Sequence, residues 1–254
     1  MSVSRAYYQI ETVALFGSCL ALFALLNMVA GPAFAFAGLL LYGCVLPLTY
    51  VLYFFHPWDR PSLVAWILAL ILTLQRRWVA LAAVLAIGVT IKYDIVVFPL
   101  FVFFAELRRS GWRGTVPLVA ALSLVGIGTF FVLLKIAPGG MDDRDLMYLS
   151  TVSLRDLWNL GLSNPPVLAL TVPAALAIAG YSRANDFAKA GVHFGLVLTV
   201  IYFSQTHFRE FRAETPLFVV LLPAAMFGIE RLTGGAWKVS GSPTEIHAPP
   251  VVVP

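Results

Sequence analysis

The residues able to do chemistry are gathered in three short stretches of an otherwise apolar sequence. One, "SQTHFREFRAETPLF" over 204–218, holds His207, Arg209, Glu210, Arg212 and Glu214. Read as a helical extension, it sets His207, Glu210 and Glu214 on one stripe and Arg209 with Arg212 on the adjacent one. Two guanidinium groups three residues apart can clamp a phosphate or pyrophosphate through forked hydrogen bonds. Glu210 or Glu214 can orient them, or serve as a base if its pKa is raised. The same residues also read as a solvated loop in which arginine and glutamate pair locally, worth little energetically. Thr215 and Pro216 then supply an N-cap and the first residue of a following helix.

The second stretch, "YFFHPWDRPSL" over 53–63, offers Asp59, with Pro61 suited to the first turn of the next helix. Asp59 reads equally as a cap for that helix, beside Arg60, and as a functional carboxylate. The third, "TIKYDIVVFP" over 90–99, carries Lys92 and Asp94 between two short apolar runs. Two residues apart, they diverge on an α-helix but can pair on a tight turn. Ionisable groups at a membrane edge are costly and point by default to a functional site; a snorkelling lysine and a capping aspartate are the alternative. His193, in "AGVHFGLVL", has no ligand partner at helical spacing and reads as a hydrogen bond between helices. No metal, cofactor, nucleophile-elbow or phosphate-loop motif is present, so neither a metal nor a cofactor is expected. Cys19 and Cys44 lie in apolar runs and read as buried small residues.

The elements that must position these groups follow from composition. Of 254 residues, 60% are hydrophobic and only 12% charged, against about 25% charged in a soluble domain. The apolar runs are continuous rather than alternating, which predicts an all-α, polytopic transmembrane bundle and argues against a barrel. Breakers and charges divide it into about nine segments, at 11–30, 33–55, 62–75, 78–91, 95–107, 116–136, 166–182, 187–204 and 215–232. The third to fifth are shorter than the roughly 20 residues a full crossing takes, so partial-height or tilted helices, or the walls of a polar cavity, are expected there. The N-terminal run lacks the pattern of a cleaved signal and reads as the first segment.

Alternating the chain through nine segments puts nine Lys and Arg with four acids on one side, and eight with nine acids on the other. The positive-inside rule makes the first side cytoplasmic and sets all three polar stretches on the outer face. The formal net charge of +4 is scattered over segment ends, which fits membrane topology and gives no stripe for nucleic acid. The transmembrane domain is expected over 1–232. Within it, 137–165 forms an outer loop in which Ser153 and Asp156 open a short amphipathic helix at the bilayer surface, or a capped connector packed on the bundle. The tail over 233–254, rich in Gly, Ser, Pro and Val, is expected to be disordered.

The order "HPWDRPSL", "QRRW", "IKYD", "ELRRSGWR", a long outer loop and finally "FREFRAETPL" resembles bacterial membrane glycosyltransferases of the GT-C type over roughly residues 50–230. The resemblance implies transfer of a sugar from a polyprenyl-phosphate donor at the outer face of the inner membrane, in envelope polysaccharide or glycolipid synthesis. It matches Asp59 to the acid before a helix, and Arg209 and Glu210 to a late Arg-Glu motif, while Lys92 and Asp94 stand where relatives carry Arg-Glu. That makes Asp59 and Glu210 the expected catalytic carboxylates, and Lys92, Asp94, His207, Arg209 and Arg212 the substrate-binding set. The first connection, "AGPAF", holds no acid where the family places a carboxylate, as though the first helix and acidic first loop were missing. The partners expected are the lipid bilayer and a lipid-linked sugar, with no nucleic acid. A transporter or flippase component, or a non-catalytic subunit bound to another membrane protein, are the competing classes.

Overall fold

The computed structural model describes residues 3–47, 58–136, 165–205 and 215–234. Among these the chain is all-helical, with no strand. The helices are α1 (Val3–Ala30), α2 (Pro32–Val45), α3 (Asp59–Leu74), α4 (Trp78–Ile91), α5 (Pro99–Ile136), α6 (Pro165–Gly180), α7 (Asp186–Gln205) and α8 (Thr215–Leu232), with a 3-10 helix at Tyr93–Val97 before α5. Three helical stretches are long and apolar enough to cross a membrane: Ala6–Ala30, Tyr93–Ile136 and Thr215–Leu232. The outer-loop helix expected within 137–165 and the tail beyond Gly234 lie outside the described residues.

The stretch Tyr93–Ile136 is not one rod. Gly111 sits at φ 63 and ψ 176, a conformation that is essentially glycine's own, and the chain doubles back there. A Cβ on Gly126 would lie 3.4 Å from Val96, and the Tyr93 and Phe130 rings are 6.2 Å apart. A straight helix would hold residues 30 or more apart at roughly 45 Å. The contacts are centred on residue 111, so α5 is a hairpin of two helices and agrees with the two apolar runs read on either side of "ELRRSGWR".

Successive helices run antiparallel, and the side-chain contacts sort their ends. At one end, Tyr7 meets Trp58 edge-on at 6.4 Å, Glu11 pairs with Arg60, and Lys92 reaches Asp59. At the other, Gln75 meets Met28, Arg76 pairs with Glu106, and Arg108 with Asp186. This second end is made of tight turns: Gly31 between α1 and α2, residues 75–77, Gly111, and 181–185. The connections 48–57, 137–164 and 206–214 all join helix ends at the first. We call the two the turn end and the loop end.

At the centre is α8, buried at every position from Pro216 to Gly228. A helix apolar on all sides belongs inside a bundle. Small residues admit its neighbours: a Cβ on Gly191 of α7 would meet the Val220 carbonyl oxygen at 2.5 Å, and Gly180 of α6 lies directly against Gly228. Close backbone approach of this kind is how helices pack where lipid supplies no hydrophobic drive. Large apolar side chains on the rim, among them Phe16, Leu20, Leu124 and Phe131, are more than half exposed, as lipid-facing positions are.

Candidate functional site

The first turn of α3 and the α4–α5 connection build an ionic cluster at the loop end. Asp59 opens α3 without capping it: Trp58 holds the N-cap position and makes no side-chain cap. The capping role open to Asp59 is thus not the one it takes, because its carboxylate is engaged across the helix gap. Lys92 Nζ lies 3.0 Å from Asp59 Oδ1 and 3.6 Å from Asp94 Oδ2. Lys92 ends α4 in an extended conformation, φ −155 and ψ 126, and the 3-10 helix that follows carries Asp94 round to it. The tight turn brings together two residues that an α-helix would have separated.

A dry aromatic floor lies beneath the cluster. Trp66, fully buried, donates its indole N–H to Asp94 Oδ1 at 3.4 Å, and Ser62 Oγ donates to the same oxygen at 3.4 Å. The Trp66 ring packs edge-on against Phe98 at 5.6 Å and tilted against Phe194 at 6.1 Å. These contacts leave Asp94 Oδ2 buried with no hydrogen bond among the described residues, facing Lys92 as its ion-pair partner. Beside the cluster, Arg60 Nε pairs with Glu11 Oε1 of α1 at 2.9 Å, both side chains mostly buried. At the rim, Trp58 and Tyr93 are 45% and 44% exposed, enough ring face for a ligand to stack on.

Burial works against the Lys92 charge, but the carboxylates of Asp94 and Asp59 outweigh it and hold the ammonium above the ordinary lysine range. Lys92 therefore stays a cation. One ammonium shared by two carboxylates has little charge left for an incoming phosphate. Its ion pairs to Asp59 and Asp94 fix the three groups relative to one another.

Of the residues singled out in the sequence, the structure brings together Asp59, Lys92 and Asp94. His207, Arg209, Glu210 and Arg212 lie outside the described residues. The helices that flank them, α7 and α8, end and begin at the loop end: Gly195 packs on Leu217 and Leu221, and Tyr42 near the end of α2 meets Phe218. Sequence reasoning missed Ser62 and Trp66, although their spacing from Asp59, three and seven residues, sets all three on one face of α3. His193 does bond a neighbouring element, accepting from or donating to the Tyr181 hydroxyl at 2.7 Å.

Fold and composition define a helical membrane protein with an ionic cluster at one end of its bundle. Compared with known proteins, the chain matches no family model, no curated sequence and no solved structure.

Proposed function

We propose that the chain is a multi-pass inner-membrane protein with about nine membrane segments, the two arms of α5 counted separately, that handles a sugar carried on a polyprenyl phosphate, in the manner of GT-C glycosyltransferases. The observation that carries this reading is the meeting of Asp59, Lys92 and Asp94, from two separate stretches, at the end where every long connection joins. Carboxylates that can bond sugar hydroxyls and exposed rims of Trp58 and Tyr93 that can stack on a sugar face fit a carbohydrate.

In this mechanism a hydroxyl of the acceptor attacks the anomeric carbon of the donor. Its proton passes to Asp59 or Asp94, and the bond between sugar and phosphate oxygen breaks with the electron pair leaving on the phosphate. Lys92 holds both carboxylates in place through its ion pairs. Arg209 and Arg212 neutralise the departing phosphate, and Glu210 orients them. The outer face of the membrane is the loop end, and the arginine-rich turn end faces the cytoplasm.

The test is transfer in membranes containing the protein, offered a panel of undecaprenyl-phosphate sugars carrying a radiolabel. Asp59→Asn or Asp94→Asn should lower incorporation by about a hundred-fold or more. Incorporation at the unsubstituted level in both variants would sink the catalytic reading. A carrier is the second reading, favoured by a buried ion cluster set on helices as short as α3 and α4. It predicts that label crosses sealed vesicles without being transferred.

A further inference from the structure

The turn end carries its own pattern. Three turns are tied to one another by ion pairs: Arg76 to Glu106 at 2.5 Å and Arg108 to Asp186 at 3.1 Å. Glu106 is almost fully buried and also accepts from Ser110 Oγ at 3.0 Å, so the α3–α4 turn is fastened to the hairpin turn of α5, and that turn to the α6–α7 connection. Each turn then presents a further arginine outward. Arg77 follows Arg76, Arg109 follows Arg108, and Arg183 precedes Asp186 by three residues. All three are exposed, and their side chains make no ion pair or hydrogen bond among the described residues.

Trp112 projects from the hairpin turn, 65% exposed, with its ring edge-on to Phe103 at 5.6 Å. Beyond it the second arm of α5 turns apolar side chains outward, from Val116 at 38% to Leu124 at 74% exposure. A tryptophan at this level marks the headgroup layer of a bilayer. Cations beside it stand at the height of lipid phosphates.

We infer that the turn end is a binding surface for anionic phospholipid headgroups, in which Arg77, Arg109 and Arg183 engage phosphate oxygens while the paired Arg76 and Arg108 hold the three turns in register. The division of labour is what distinguishes it from a loose excess of positive charge: Arg76 and Arg108 are held in ion pairs that tie their turns to a neighbour, so Arg77 and Arg109 beside them are presented from fastened turns, as Arg183 is from the connection that Asp186 anchors. Guanidinium groups suit phosphate through forked hydrogen bonds, and each cation near an anionic surface contributes roughly five-fold in binding.

The experiment is native mass spectrometry of the full chain released from micelles holding phosphatidylglycerol and phosphatidylcholine at equal mole fraction. The protein should retain phosphatidylglycerol in preference by more than about ten-fold, with the preference shrinking as salt screens it. Arg77→Ala with Arg109→Ala and Arg183→Ala should abolish it, while lysine at the same three positions should keep most of it. Should the triple alanine variant fail to fold, single Arg109→Ala and Arg183→Ala proteins should each lose roughly five-fold. Equal retention of the two lipids by the unsubstituted protein, or an unchanged preference in the alanine variants, overturns the inference. Abolition of the preference by inorganic phosphate would assign the arginines to a free anion instead and would overturn it too.

Discussion

Replacing Lys92 by methionine leaves Asp59 and Asp94 facing one another over an apolar floor with their shared cation gone. Removing one partner of a buried pair costs about 3–5 kcal/mol; Lys92 keeps 23% of its side chain exposed, so about 2 kcal/mol is the expected loss. Denaturation in detergent should show it, and a Lys92→Met, Asp94→Asn double variant should recover part of it, since the neutral amide still accepts from Ser62 and Trp66. Additive losses in that double-mutant cycle would mean the two groups are not coupled. The pH dependence has a definite sign. Lys92 is raised in the folded state, so its contribution is whole below the ordinary lysine value of about 10.4 and fades only as pH climbs through the raised one. The stability gap between the unsubstituted protein and Lys92→Met should stay level from neutral pH to about 10 and narrow above it. A gap that closes already near pH 8 would show that Lys92 titrates low and is not held by the aspartates.

Two glycines separate what a helix needs from what its packing needs. Gly111 has open space where a Cβ would go, so Gly111→Ala meets a purely conformational penalty at φ 63, about 1–3 kcal/mol, and loosens the α5 hairpin. In α8, Gly228 lies directly against the Leu176 carbonyl oxygen. An alanine there pushes backbone from backbone, and a cost of about 3 kcal/mol or more is expected because no side chain can yield. Gly43→Ala, with nothing within 4 Å, should change stability by less than about 1 kcal/mol. Thermal unfolding should put Gly228→Ala lowest, Gly111→Ala between and Gly43→Ala highest, and a Gly228→Ala protein as stable as Gly43→Ala would contradict the α6–α8 packing. The helices themselves were legible: the runs read at 78–91 and 215–232 coincide with α4 and α8, because breakers and charges bounded them on both sides. Two of the three polar stretches read in the sequence meet in the loop-end cluster, and the charged residues of the third lie outside the described residues. The geometry of the cluster was not legible, since Asp59 gave a reasonable cap and only the tertiary approach of α4 to α3 diverts its carboxylate to Lys92. The pairing of Arg76 with Glu106 escaped the sequence for the same reason: the two lie 30 residues apart and no local pattern joins them.

The two ends of the bundle differ in construction, and that asymmetry makes orientation testable without knowing any substrate. Four tight turns close one end, and the basic side chains there outnumber the acids; the other end joins the three long connections and holds Asp59, Lys92 and Asp94. Lys and Arg near segment ends are retained on the cytoplasmic side. The turn end carries Arg76, Arg77, Arg108, Arg109, Arg113, Arg183, Lys189 and Arg231 against Glu106, Asp186 and Glu230. A protein stripped of Cys19 and Cys44 and given one cysteine at Gly114, at the turn end, should react with a membrane-impermeant maleimide only after the cells are opened. The same protein with its one cysteine at Asp142, in the connection between α5 and α6, should react in intact cells. The two positions are separated by the second arm of α5, whose 25 residues, 112–136, rise about 37 Å at 1.5 Å each, more than the roughly 30 Å of a hydrocarbon core. Labelling of both cysteines from the same side would mean that this arm does not cross, and the alternation of segments would fail at that point. Labelling in the reverse sense would put the carboxylate cluster in the cytoplasm and remove the outer-face sugar chemistry, while leaving the helix packing untouched.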